Sequence, residues 1–143
     1  MRERTAIRWT ALAIVAIAFG LRLYRLAVWE LSFDEVASYV IAAKAPAEMF
    51  LYLQNAIREH PPLYYLLLSL WMPVAGITEF ALRFPSAVIG TATVVLFHRC
   101  LEVWLGRRVA LLGAFLLALS PAHIWASQTA RMYAGVILWT LLS

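Results

Sequence analysis

The stretch Leu31-Ser32-Phe33-Asp34-Glu35 comes just past the first long apolar segment, residues 7–28, and gives that segment its meaning. A hydrophobic run that gives way to paired acids reads as a membrane helix leaving the bilayer. Ser32 suits a helix cap, and Glu35 stands three residues on, the spacing of a capping box. A short helix over residues 33–44 is therefore predicted just outside the membrane. Composition agrees: hydrophobic residues make up 64% and charged residues 14%, where soluble domains run near about half and about a quarter. The mean hydropathy is +0.78. The fold class that follows is an all-α membrane protein, with polytopic transmembrane helices and an outer loop of amphipathic juxtamembrane helices.

Arg2, Arg4 and Arg8 hold the start of the first helix in the cytoplasm. A cleaved leader is the weaker reading, because no small-x-small site follows and Arg22, Tyr24 and Arg25 extend the segment. Those two arginines either snorkel or face the protein interior. After Ala45, Pro46 suits the first position of a second helix, with Met49, Phe50, Leu53 and Ile57 on one side and Glu48, Gln54, Asn55 and Arg58 on others. Such a pattern lies along a membrane surface. Residues 61–76 are uncharged but broken by Pro61, Pro62, Pro73 and Gly76, so they either span or insert partway.

Partial insertion sends residues 80–98 inward and returns residues 109–126 outward. Arg99, Arg107 and Arg108 are then cytoplasmic, as the positive-inside rule prefers. The same arrangement brings Asp34, Glu35, Glu59, His60, Arg83, Arg131 and Tyr133 to one outer face. The last apolar run, residues 132–143, is shorter than the roughly 20 residues a span needs. It is expected to be the start of a truncated helix in a longer protein.

Several function classes drop out. A net charge of +4 is spread as topology signals, and no nucleic-acid partner is expected. Cys100 is the single cysteine, which excludes an internal disulfide or a cysteine-based metal site. There is no phosphate-binding glycine loop, dinucleotide fingerprint or zinc spacing. A soluble nucleotide-sugar or ATP is therefore not the expected substrate.

Asp34 is the only aspartate. Adjacent helical residues point about 100° apart, so one of Asp34 and Glu35 can face a substrate while the other caps or pairs. A carboxylate here could act as general base or hold a divalent metal; the plainer reading is two acids favoured by the helix dipole. In Glu59-His60-Pro61-Pro62-Leu63-Tyr64-Tyr65, His60 could donate to a phosphate or a sugar hydroxyl, or could merely sit at an interfacial helix start. Arg83 lies one turn inside an apolar helix, where a charge is functional by default. It could grip a lipid phosphate, or it could snorkel to the interface or pair structurally with Glu79. Arg131 and Tyr133 could bind phosphate or orient an acceptor, or form a charged loop with an interfacial ring. His98 and His123 read as interfacial or packed. The tryptophans read as membrane anchors rather than a sugar platform, a role left open only for Trp29 and Trp125.

In this order the motifs resemble a known family. An outer Asp34-Glu35, then His60-Pro61-Pro62-Leu63-Tyr64-Tyr65, Leu82-Arg83-Phe84-Pro85-Ser86, Leu119-Ser120-Pro121 and Arg131-Met132-Tyr133 are similar to the start of GT-C glycosyltransferases. The nearest in pattern are bacterial relatives of dolichyl-phosphate-mannose protein mannosyltransferases, glycosyltransferase family 39. The resemblance implies a multispanning enzyme of the bacterial inner membrane, longer than this chain, with its site on the outer face. It would move a sugar from a polyprenyl-phosphate carrier to protein, lipid or glycan by single displacement with inversion. Asp34 matches the family's catalytic acid and Glu35 its companion. Arg83 and Arg131 fall where the family places basic groups near the carrier phosphate, and His60 and Tyr133 join them as expected carrier-phosphate or substrate contacts. Metal dependence is left open, with Asp34 and Glu35 as the ligands on offer. This stretch alone is expected to be inactive. Two other classes compete: a transporter or flippase for a lipid-linked or anionic substrate, which would not need Asp34 for chemistry, and a noncatalytic scaffold, which would tolerate Arg83→Leu.

Overall fold

The computed structural model describes residues 2–56 and 60–143, with side chains from Thr5 onward. The side chains of Arg2 and Arg4, read as orientation signals, lie outside the described residues, as do Ile57, Arg58 and Glu59. Among the described residues every regular element is helical: α1 (Arg2–Leu23), α2 (Phe33–Ala42), α3 (Pro46–Ala56), α4 (Pro62–Ala75), α5 (Glu79–Leu105), α6 (Arg107–Leu119), α7 (Pro121–Ser127) and α8 (Tyr133–Thr140). Two are long and apolar enough to cross a membrane, Thr5–Leu23 and Glu79–Leu105, and α6 with α7 makes a third if their 63° bend lies within one span. The protein is an all-α integral membrane protein.

Helix α5 is the axis of the bundle and packs against α1, α4, α6, α7 and α8. Water-exclusion gains little between helices already in lipid, so small residues that let backbones approach matter more. Ala110, Ala114 and Ala118 form such a seam on α6 and are buried, and the last two cluster with Ala18 of α1 and Val94 of α5. Gly90 serves α5 in the same way: a Cβ there would collide with Ser127 of α7.

Two proline effects shape the loop end. Pro85 lacks the N–H that would bond the Ala81 carbonyl one turn earlier. That carbonyl instead accepts from Trp71 Nε1 at 2.8 Å, which ties α4 to α5. Thr78 caps α5 by accepting from the Ala81 amide at 3.2 Å. Pro121 opens α7, where Ser120 both ends α6 and caps the next helix.

Helix α1 stops at Leu23, short of Val28 where the apolar run ends. The cause is tertiary. Gln128 Nε2 donates to the carbonyls of Leu21, Arg22 and Tyr24 at 3.0, 3.3 and 2.9 Å. Arg25 then turns to a left-handed φ of 58°. Arg22 faces the interior, fully buried, and donates to the Ala18 carbonyl and to His123 Nδ1, both at 2.7 Å. This contact draws His123 into the bundle, where it is buried rather than interfacial.

Replacing Gly90 by Leu should force α5 from α7 and destabilise by about 1–3 kcal/mol, the usual range for overpacking. Gly20→Leu, which meets open space, should leave the melting midpoint in detergent nearly unchanged. Equal midpoints for the two variants would contradict this packing.

Candidate active site

Glu35 is the second residue after the Phe33 start of α2, and the helix dipole and the Ser32 cap bring its carboxylate back toward the chain. Glu35 Oε2 accepts from the Ser32 amide at 3.0 Å and the Ser32 hydroxyl at 3.1 Å. Arg83 then meets it side-on, with Nε to Oε1 at 2.8 Å and an NH2 bond to Oε2 at 2.9 Å. Oε1 also accepts from the Ala130 amide at 2.8 Å. Both residues are buried.

An arginine has five N–H donors, and all of them are used here. Beyond Glu35, Arg83 NH1 donates to the carbonyls of Leu26 and Trp29, both at 2.8 Å, and NH2 to that of Glu30 at 3.0 Å. The guanidinium thus fastens the turn after α1, the start of α2 and the 130 loop to α5. Burial by itself raises the Glu35 carboxyl. Hydrogen bonds from Arg83, Ala130 and Ser32, with the Arg83 charge, outweigh that and hold it down at about 2, below the ordinary 4.5.

Asp34 has the opposite surroundings. Its side chain is 63% exposed, and its Oδ1 lies 3.5 Å from Arg131 NH1. The Asp34 carbonyl accepts from the same nitrogen at 3.4 Å. Arg131 is itself mostly buried but loosely held. Its NH2 reaches the Tyr133 hydroxyl at 3.3 Å, its guanidinium lies 5.3 Å from the Tyr133 ring, and its buried Nε has no hydrogen-bond partner among the described residues. Its backbone is better fixed: the Arg131 carbonyl accepts from Ser86 at 3.4 Å, and Ser86 lies 3.2 Å from the Tyr64 hydroxyl. Trp125 stacks on Tyr133 at 5.6 Å between ring centroids.

His60 joins the cluster at one remove. Its Nδ1 is 2.7 Å from the Tyr65 hydroxyl, which also feels the charges of Arg131 and Asp34. Tyr65 was hidden in the sequence by a run of aromatic residues that reads as an interface anchor. Its clue is the paired proline, which starts α4 at Pro62 and turns Tyr65 back over His60.

The expected site residues therefore divide in two. Asp34, Arg131, Tyr133 and His60 form the more accessible polar group, with the buried Tyr65 hydroxyl beneath His60. Glu35 and Arg83 sit behind it and saturate each other, with Glu35 rather than Glu79 as the partner of Arg83. With all five donors used, Arg83 has none left for a carrier phosphate. Neither Glu35 oxygen is free for a metal, and the described residues contain no group of three or more metal-ligating side chains. A metal held jointly by Asp34 and Glu35 does not fit this geometry.

A family model described as dolichyl-phosphate-mannose-protein mannosyltransferase matches residues 59–143. The chain belongs to that family. No curated protein and no solved structure matches it. The mannosyltransferase match includes Arg83, Arg131 and Tyr133 and begins after Asp34 and Glu35. Both acids are nonetheless joined to the matched segment, Glu35 through Arg83 and Ala130 and Asp34 through Arg131. At the level of this family the activity is glycosyl transfer in a membrane from a lipid-linked sugar.

Removing one partner of a buried ion pair strands the other charge, at a cost of roughly 3–5 kcal/mol; Arg83→Met should lose stability on that scale in detergent unfolding. Because folding lowers the Glu35 carboxyl, its contribution is complete above pH 4.5 and is lost as pH falls toward about 2. Wild-type unfolding free energy should decline through that window, and Glu35→Gln should show a shallower decline. Identical acid limbs would contradict the assignment.

Proposed function

We propose that this chain supplies the catalytic acid and the carrier-phosphate contact of a polyprenyl-phosphate-sugar-dependent glycosyltransferase. Asp34 is the general base and Arg131 the phosphate contact. The observation that carries the reading is the unequal treatment of neighbouring acids: Glu35 is buried and saturated, whereas Asp34 is exposed beside a guanidinium with donor capacity to spare.

In the reaction, an Asp34 oxygen takes the proton of an acceptor hydroxyl. The hydroxyl oxygen attacks the anomeric carbon from the face opposite the carrier. The bond from that carbon to the phosphate oxygen breaks, its electron pair stays on the phosphate, and the configuration inverts. Arg131 offsets the charge growing on the leaving phosphate, an interaction worth most where water is excluded. Tyr133 positions the Arg131 guanidinium, and His60, backed by the buried Tyr65 hydroxyl, offers a further hydrogen bond to sugar or phosphate. Glu35 and Arg83 act as positioning residues. No metal step is invoked.

The topology that goes with this reading keeps α4 partly inserted and puts Arg99, Arg107 and Arg108 in the cytoplasm. The site then lies on the outer face of the inner membrane.

The test uses full-length protein in membranes and a labelled polyprenyl-phosphate sugar. Asp34→Asn should lower carrier cleavage by at least about 100-fold, the lower end for general-base catalysis, with wild-type melting. Arg131→Gln should weaken cleavage and carrier binding together. Full cleavage by Asp34→Asn would remove it as the base. Carrier movement across the membrane without cleavage in any protein would favour a flippase instead.

A further inference from the structure

The end of the bundle away from Asp34 holds a second polar cavity, of about 590 Å³, open between α1, α5 and α6. Along α5 it lies about 24 Å from Arg83, at 1.5 Å per residue. Its floor is apolar, with Ile14, Val94 and Ala114 from three helices. Its rim is basic: among the described residues Arg8, Arg99 and Arg107 face one acid, Glu102, with His98 between them. The transfer reaction proposed above uses none of these groups.

Three features point to an anion in this cavity. Glu102 is shared between two arginines, with Arg99 NH1 at 3.0 Å and Arg107 Nε at 3.1 Å, so the rim keeps an excess of positive charge. The Nε2 atom of His98 is buried without a hydrogen-bond partner among the described residues, beside the same cavity. Helix α6 begins at Arg107 with no side-chain cap, which leaves its positive dipole end available at the rim.

Shape and depth point to a lipid as the source of that anion. Trp9 and Trp104, on the helix ends that form the rim, are 67% and 80% exposed. Exposed tryptophans of this kind mark headgroup depth in a bilayer. A polar rim at that depth over an apolar floor matches a headgroup with its acyl chain below, and basic pockets between transmembrane helices take anionic headgroups. A soluble anion would have no use for the apolar floor.

We infer that the cavity bounded by Arg8, His98, Arg99 and Arg107 binds an anionic phospholipid from the adjacent leaflet. The phosphate sits among the arginines and His98, and an acyl chain lies against Leu12, Val15 and Val95, the accessible part of the apolar lining. Glu102 competes with the lipid for Arg99 and Arg107. The site is independent of the glycosyl-transfer reading.

Native mass spectrometry of the detergent-solubilised chain, offered phosphatidylglycerol or phosphatidylcholine in equal amount, tests this directly. Phosphatidylglycerol should be retained preferentially. The preference should fall by about fivefold for each arginine replaced by glutamine, the equivalent of about 1 kcal/mol per charge, across R8Q, R99Q and R107Q. Glu102→Gln should strengthen retention, and this variant decides the matter if the arginine variants do not fold. Equal retention of the two lipids, or no gain in Glu102→Gln, would overturn the proposal. Displacement of the lipid by millimolar inorganic phosphate would also overturn it, in favour of a free-anion site.

Discussion

The loop end of this protein depends on one buried ion pair. Glu35 and Arg83 meet with two short bonds, and every remaining lone pair or proton on either group is directed to backbone or to Ser32. A charge in a membrane bundle is costly unless it is matched in this way. Once matched, the guanidinium becomes a junction: it holds the carbonyls of Leu26, Trp29 and Glu30, and through Glu35 it holds the Ala130 amide. Three stretches, the turn after α1, the start of α2 and the 130 loop, are fixed to α5 at one point. The polar cluster in front of it takes its geometry from that junction, because Asp34 precedes Glu35 and Arg131 follows Ala130.

The division between adjacent acids follows from helix geometry. Residues about 100° apart cannot face the same partner, so burying Glu35 leaves Asp34 outward. The two arginines show a parallel contrast. Arg83 has contacts of 2.8–3.0 Å for all its donors. Those of Arg131 run from 3.3 to 3.5 Å and leave Nε without a partner among the described residues. Saturated groups hold a structure in place, and groups with spare capacity can take a ligand.

Local signals made part of this legible in the sequence. The capping spacing of Ser32 and Glu35 and the helix start at Pro46 need only neighbouring residues, and the helical membrane class needs only composition. The motif series also carried the family, which the match over residues 59–143 shows. The partner of Arg83 was not legible. Glu79 is near it in sequence, whereas Glu35 is 48 residues away and is reached only once the helices pack. The end of α1 was hidden for the same reason, since it is set by Gln128, 107 residues from Leu21. Tyr65 was obscured because an aromatic run at an interface has a sufficient explanation without any polar contact.

The central claim is that Glu35 holds the fold while Asp34 is free of that task. Side-by-side thermal unfolding of Asp34→Asn and Glu35→Gln in one detergent tests it most directly, since both substitutions remove one negative charge at adjacent positions. The account predicts an unfolding midpoint close to wild type for Asp34→Asn and a clearly lower one for Glu35→Gln. Equal midpoints, or a lower one for Asp34→Asn, would contradict it.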